Sequence, residues 1–322
     1  MGTMMAGIAM GALYGCRQED SDSGIPVRPL GSTGEKVSII SLGGWDIVND
    51  KTEKEAVALI EEALDNGITF FDNCWEYHDG WAEEMMGKVL ADPVKRDKVF
   101  LMTKVCGRDY RTAKTHLEDS LRRLQTDVID LWQFHAIKWE DDPDLIFAEE
   151  GAMKAALEAR EQGKIRYIGF SGHQDPERHL EMLSRDFDWA TVQMPTNVLD
   201  AHYRSFQNMV LPELNKREIA ALGMKSLGAQ NGRIARDLNV DASLLRRYAL
   251  TLPIASLVAG MQSREELHQI IDIARNFEPL KEEEVTELLD ISYAEAQDGD
   301  IERYKTGNYG CDWYHNHFLP SS

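Results

Sequence analysis

The 322-residue chain has little cysteine, a shortage of positive charge and no long apolar run. Its four cysteines (Cys16, Cys74, Cys106 and Cys311) stand far apart and form no CxxC pair. That removes the spacing of a zinc ribbon or an iron–sulfur cluster, so no metal is expected. A chain of this size does not depend on a disulfide framework, and the thiols read as free. Only 35 basic residues face 55 acidic ones, a formal charge of −20. Nucleic acid and anionic membrane surfaces need the opposite sign, so neither is expected as a partner.

The uncharged, small-residue-rich run Met4 to Cys16 is too short to span a bilayer. It resembles the end of a bacterial secretory signal, and Leu13-Tyr-Gly-Cys16 is similar to a lipoprotein processing box, but no basic region precedes it. Residues 1–24 are therefore set apart from the fold, as a tail or a signal-like segment. The expected location is cytoplasmic, with export or lipid anchoring through Cys16 as the alternative.

A hydrophobic fraction of 43% supports a full core. Val27–Leu30 and Lys36–Val37 flank a glycine-containing turn and read as a small hairpin. Strand-like and helix-like segments then alternate. The expected strands are Val37–Leu42, Ile68–Phe71, Val99–Thr103, Val128–Phe134, Ile165–Phe170, Ala190–Gln193, Ile219–Met224 and Ile254–Ala259. Helices are expected between them, among them Leu145–Gln162, Phe206–Lys216 and Asp241–Thr251, with Ser263–Ala274 closing the series. Eight strand–helix pairs in one uninterrupted stretch argue for a (β/α)8 TIM barrel over a doubly wound sheet. The domain expected is a single barrel from 25 to 322, in which 277–322 form a C-terminal extension with a helix near Lys281–Gln297 and an irregular tail.

Three of the strands lead into side chains that a strand interior rejects. The segments are Ile68-Thr-Phe-Phe-Asp72-Asn-Cys-Trp-Glu-Tyr77, Val99-Phe-Leu-Met-Thr-Lys104 and Val128-Ile-Asp-Leu-Trp-Gln-Phe-His135. Reactive groups gathered at the carboxyl ends of parallel strands mark a barrel active site. Carbonyl reduction needs a proton donor near the carbonyl oxygen and a means of stabilising negative charge. A phenol near pKa 10 is a poor catalyst unless a neighbouring ammonium favours its anion. One each of Tyr, Lys, Asp and His fills these roles without a metal. Singly, each has a plainer reading, as a salt bridge, a packed ring, a turn cap or a core histidine.

This constellation resembles the catalytic tetrad of the aldo-keto reductases, and the flanks agree. Ala82-Glu-Glu-Met-Met-Gly87 resembles the family's helix start after the tyrosine, and Gly163-Lys-Ile-Arg-Tyr-Ile-Gly-Phe-Ser171 is similar to its fifth-strand motif. The resemblance spans about Arg28 to Ala274. It implies that Asp72, Tyr77, Lys104 and His135 are catalytic. It further implies that Ser171 and Gln193 hold a nicotinamide, with Gly44, Trp45 and Met224 near it. Gly260, Gln262, Ser263, Arg264 and Glu266 correspond to the loop gripping the adenosine end. Gly172-His173 departs from the family's usual asparagine, and Met224 stands where an aromatic is usual. Glu266 stands where a basic residue would meet a 2′-phosphate, with Arg264 nearby to compensate. The family mostly uses NADP, so the resemblance implies NADP(H), with NAD(H), whose 2′-hydroxyl can donate to a carboxylate, as the alternative.

The expected substrate is a small carbonyl compound or alcohol. Trp45, Trp75, His78, Trp81, Trp139 and the tail Tyr309–Phe318 are candidates to wall its pocket. The HxH pair His315 and His317 has no matching carboxylate pattern for a metal. Two rivals remain open: a cofactor-binding regulatory subunit with little turnover, and a Schiff-base lyase using Lys104.

Overall fold

The computed structural model describes residues 24–228, 232–307 and 312–319. Cys16, Cys311 and Tyr309 lie outside these described residues. Two short antiparallel strands, β1 (Val27–Pro29) and β2 (Lys36–Ser38), form the expected hairpin. Eight parallel strands follow: β3 (Ile40–Gly43), β4 (Phe70–Asp72), β5 (Phe100–Val105), β6 (Ile129–Phe134), β7 (Ile165–Ser171), β8 (Thr191–Pro195), β9 (Ala220–Met224) and β10 (Ser256–Ala259). They run in chain order around a closed barrel, β10 pairing with β3. The expected (β/α)8 architecture with an N-terminal hairpin is what the chain adopts.

The hairpin plugs the amino-terminal end of the cylinder. Leu30 and Val37 pack with the buried Phe70, Phe100, Met102, Leu131 and Leu222. Arg28 anchors it by donating to the Ile254 and Leu250 carbonyls at 2.8 and 2.9 Å. The bottom is thereby closed, which leaves the opposite, carboxyl-terminal mouth for chemistry.

Capping side chains start the outer helices. Thr52 forms a capping box with Glu55 ahead of Glu53–Asp65, and Asp109, Asp241 and Ser263 cap Tyr110–Leu124, Ala242–Thr251 and Arg264–Arg275. Gly87 allows Trp81–Leu90 to lie against Tyr110–Leu124, since a Cβ there would meet the Arg123 carbonyl oxygen at 2.0 Å.

Several boundaries differ from expectation. The run Val37–Leu42 is divided, because the Ser38 hydroxyl turns to the Ile40 carbonyl and receives the Thr69 and Phe70 amides. The helix expected over Leu145–Gln162 is two helices, Asp142–Phe147 and Ala152–Glu161. Gly151 at the break is pressed against the Leu145 and Ile146 carbonyls. Phe206–Lys216 likewise splits into Phe206–Met209 and Leu211–Lys216, with proline in the first turn of the second. Arg233–Leu238 is a helix where none was expected, and the tail contains helices Arg303–Thr306 and Trp313–Phe318. Among the described residues no helix is long and apolar enough to cross a membrane.

Candidate active site

Three neighbouring strands position the four polar residues. Asp72 ends β4 opposite Met102 of β5, and Lys104 follows on the same face of β5. Lys104 therefore lies inside its strand and not beyond it, contrary to the sequence-based boundary. A lysine is tolerated there because its polar end is satisfied. The ammonium is buried, pairs with the Asp72 carboxylate and donates to the Asn73 carbonyl at 2.8 Å.

Tyr77 opens a tight 3-10 turn, Tyr77–Gly80, in which His78 and Asp79 take left-handed φ values of 50° and 56°. Such conformations cost of order 1 kcal/mol each and persist where the surroundings enforce them. Here His78 Nε2 meets the Trp45 carbonyl at 2.9 Å, and Gly80 is pressed against the Arg123 guanidinium. The Tyr77 ring is thereby held among three partners. The Lys104 ammonium lies 5.1 Å from its centre, Trp45 meets it edge-on at 5.3 Å, and His135 at 5.7 Å.

The electrostatics reverse one expectation. Burial pushes the Tyr77 phenol well above its ordinary value, and the negative charges of Asp72, Cys74 and Glu76 push it further. The proximity of Lys104 does not make a phenolate. Burial also raises the Asp72 carboxyl, against the pull of Lys104 and a hydrogen bond from Gln193. Cys74 moves the other way. Burial raises its thiol, but a hydrogen bond with Cys106 and the His135 imidazole outweigh that and bring it to about 6.

These groups open onto a cavity of about 960 Å³ at the barrel mouth. Asp72, Tyr77, Lys104, His135, Trp45, Ser171, Gln193, Met224, Gly260, Gln262 and Glu266 all line it. Ser171 and Gln193 are direct register partners on β7 and β8. Gln193 Oε1 is buried without a hydrogen-bond partner, an acceptor suited to a carboxamide N–H of a nicotinamide. Gly44, Ser263 and Arg264 do not line the cavity. Gly44 packs under the Asp72 carbonyl, Ser263 is occupied capping Glu266, and Arg264 turns outward to Glu62 at 2.8 Å.

The end of the cavity lined by Gly260, Gln262 and Glu266 is also unlike the sequence-based picture. Glu266 accepts the Gln262 backbone N–H at 2.7 Å and so holds its own loop. The cavity wall there carries Arg246, a buried side chain whose charged form burial disfavours and Glu266 and Asp241 support. Arg246 makes no hydrogen bond or ion pair to another described residue. Sequence reasoning missed it, together with Lys225 and Tyr304, because each lies outside the motif segments. Lys225 is half-buried, held down to about 8 by desolvation, with its ammonium 5.2 Å from the Tyr304 ring centre.

Other candidates go elsewhere. Trp75 stacks on His116 at 3.4 Å between centres, and Trp139 stacks on His315 at 4.8 Å. His315 Nε2 lies 2.9 Å from Asp141, while His317 Nδ1 lies 2.7 Å from the Trp313 carbonyl, so the HxH pair serves two separate contacts.

Comparison with known proteins bears on the family and the fold. The profile of the Aldo/keto reductase family matches residues 39–239. Aldo-keto reductase YhdN of Bacillus subtilis (strain 168) is 32% identical over 235 residues, 68% of either chain. The aldo-keto reductase of Bacillus halodurans in its holo form gives a TM-score of 0.71 at 23% identity, covering 89% of this chain and 99% of that one, a likeness of fold. An aldo/keto reductase from Klebsiella pneumoniae, solved in complex with NADP and acetate, gives 0.67 at 25% identity over 82% and 94%. With profile, relative and barrel in accord, the chain belongs to the aldo/keto reductase family of oxidoreductases.

Proposed function

We propose that this protein reduces an aldehyde or ketone to the alcohol, reversibly, with NADP(H) as cofactor and Tyr77 as the proton donor. The observation that carries this reading is the half-buried phenol of Tyr77, which lines the cavity wall with Lys104 over its ring and His135 edge-on to it, desolvation keeping it protonated. A group so held is an acid and a hydrogen-bond donor to a carbonyl oxygen.

The residues divide the work. Tyr77 gives its proton to the oxygen as that oxygen gains charge. Lys104, facing the ring, lowers the cost of the phenolate left behind, and Asp72 with the Asn73 carbonyl fixes the ammonium in place. His135 restricts where the carbonyl can lie. A bound reduced nicotinamide supplies the hydride. Gln193 Oε1, unpartnered and buried, fits its carboxamide, and the Arg246 guanidinium fits a 2′-phosphate, as expected of a chain similar to a protein solved with NADP.

A Schiff-base role for Lys104 has less support, since a nucleophilic amine needs a free lone pair and this nitrogen is engaged by a carboxylate and a carbonyl. Titration with NADPH and NADH by tryptophan quenching, followed by a panel of aldehydes, ketones and sugars, tests the proposal. Oxidation of bound NADPH by a carbonyl is expected. Tight cofactor binding with no oxidation by any of them would favour a nucleotide-sensing subunit. Borohydride trapping of a carbonyl at Lys104 would favour the lyase.

A further inference from the structure

Beneath the Tyr77 ring, donors from three strand ends converge on one point. Cys74 follows β4, Cys106 follows β5 and His135 follows β6, while Glu76 reaches in from the turn after Cys74. His135 Nδ1 lies 3.2 Å from Cys74 Sγ, 3.6 Å from Cys106 Sγ and 3.0 Å from Glu76 Oε1. All four donor atoms lie within 4.8 Å of one another.

A single ring nitrogen makes one hydrogen bond, as donor or acceptor, yet two thiols and a carboxylate are aimed at this one. The Cys74 thiol also reaches the Lys104 carbonyl at 3.7 Å, and hydrogen bonds serve these groups only one at a time. A cation at their centre serves all four. Tetrahedral zinc, with bonds of roughly 2.3 Å to sulfur and roughly 2.0–2.2 Å to nitrogen and oxygen, sets its ligand atoms about 3.3–3.8 Å apart. The separations from His135 Nδ1, 3.0 to 3.6 Å, lie within a few tenths of an ångström of that, and the remaining donor pairs lie within 4.8 Å. Two sulfurs and an imidazole select zinc over magnesium or calcium, which prefer oxygen.

We propose that Cys74, Cys106 and His135 bind a zinc ion, with Glu76 completing the tetrahedron from the cavity side. The two thiols are fully buried, whereas Glu76 and His135 line the cavity, so the ion would form part of the substrate wall. Glu76, with 24% of its side chain exposed, is the ligand placed to exchange. The site stands independently of the proposed carbonyl reduction, because metal content is read without turnover.

The test uses the full chain, purified under reductant and reconstituted with zinc or cobalt, then desalted and assayed for metal by mass spectrometry. One zinc per chain is expected. The cobalt form is expected to show thiolate-to-cobalt charge-transfer absorption. Cys74→Ser combined with Cys106→Ser should lose both signals while keeping the far-ultraviolet dichroism of the native fold. If that variant fails to fold, the native chain still decides: chelation should lower its melting temperature, and cobalt should give the thiolate bands. A native chain that takes up no zinc overturns the site, as does zinc retained in full by the folded double variant. A Cys74–Cys106 disulfide forming in air with no metal uptake under reductant overturns it too.

Discussion

The Lys104 ammonium stands 5.1 Å from the centre of the Tyr77 ring, over its face, while its hydrogen bonds go to Asp72 and Asn73. The lysine is thus a fixed charge beside the phenol, and the aspartate holds it there. Tyr77→Phe keeps the ring and removes only the proton. Carbonyl reduction is expected to fall by about 10²–10⁴-fold, the usual worth of a general acid, with NADPH binding nearly unchanged. Steady-state rates and a fluorescence titration check this. Unchanged turnover removes Tyr77 from the mechanism.

The buried Lys104–Asp72 pair also bears on stability. Lys104→Met leaves a buried carboxylate without its partner, a loss of about 3–5 kcal/mol in comparable pairs. Adding Asp72→Asn should recover part of it, because an amide costs less to bury than an unpaired charge. Denaturant midpoints of the two variants decide. A single variant as stable as the parent shows that the pair is not buried in solution.

Arg246 is expected to set the choice of cofactor. A charge-assisted hydrogen bond to a 2′-phosphate is worth about 1.5–3 kcal/mol, so Arg246→Met should weaken NADPH roughly 10- to 100-fold. NADH, lacking that phosphate, should bind the variant and the parent alike. Equal losses for both dinucleotides would place Arg246 away from the phosphate, and native preference for NADH would reverse the cofactor assignment.

Glu83 predicts a pH dependence. Burial raises its carboxyl to about 7, against a hydrogen bond from Thr103 and the charge of Arg123, whereas an unfolded glutamate titrates near ~4.3. The folded chain therefore keeps a proton that the unfolded chain releases. The stability from this group is full below about pH 4.3 and is lost as pH rises through about 7, by up to ~3 kcal/mol. Glu83→Gln should flatten that slope. Equal slopes for both proteins in denaturant titrations across this window would contradict the assignment.

Gly87 tests the barrel wall. Gly87→Ala drives a methyl into the Arg123 carbonyl oxygen, and helices Trp81–Leu90 and Tyr110–Leu124 must part. Overpacking of this kind costs about 1–3 kcal/mol. Thermal unfolding measures it, and an unshifted melting temperature would mean that the helices are not in contact.

The barrel was legible in the residues because its signal is local. Apolar runs bounded by caps and glycines repeat along the chain, and each run settles its own strand whatever lies beside it. The spacing of Asp72 and Tyr77, and the placing of Lys104 and His135 near strand ends, is likewise written in order along the chain. The boundaries were less visible. The breaks at Gly151 and Ser38 depend on carbonyls and amides that only the folded neighbourhood supplies.

By itself the sequence determined a closed eight-stranded cylinder and the side chains at its mouth, since periodicity and strand ends follow from short stretches. Tertiary structure alone decided that Tyr77 keeps its proton, that Arg246 and not Arg264 faces the cavity, and that Cys74, Cys106 and His135 meet. Widely separated cysteines exclude only the compact zinc motifs that close within one loop. Burial, charge and metal geometry act through space, and three adjacent strands bring together residues that the chain keeps far apart.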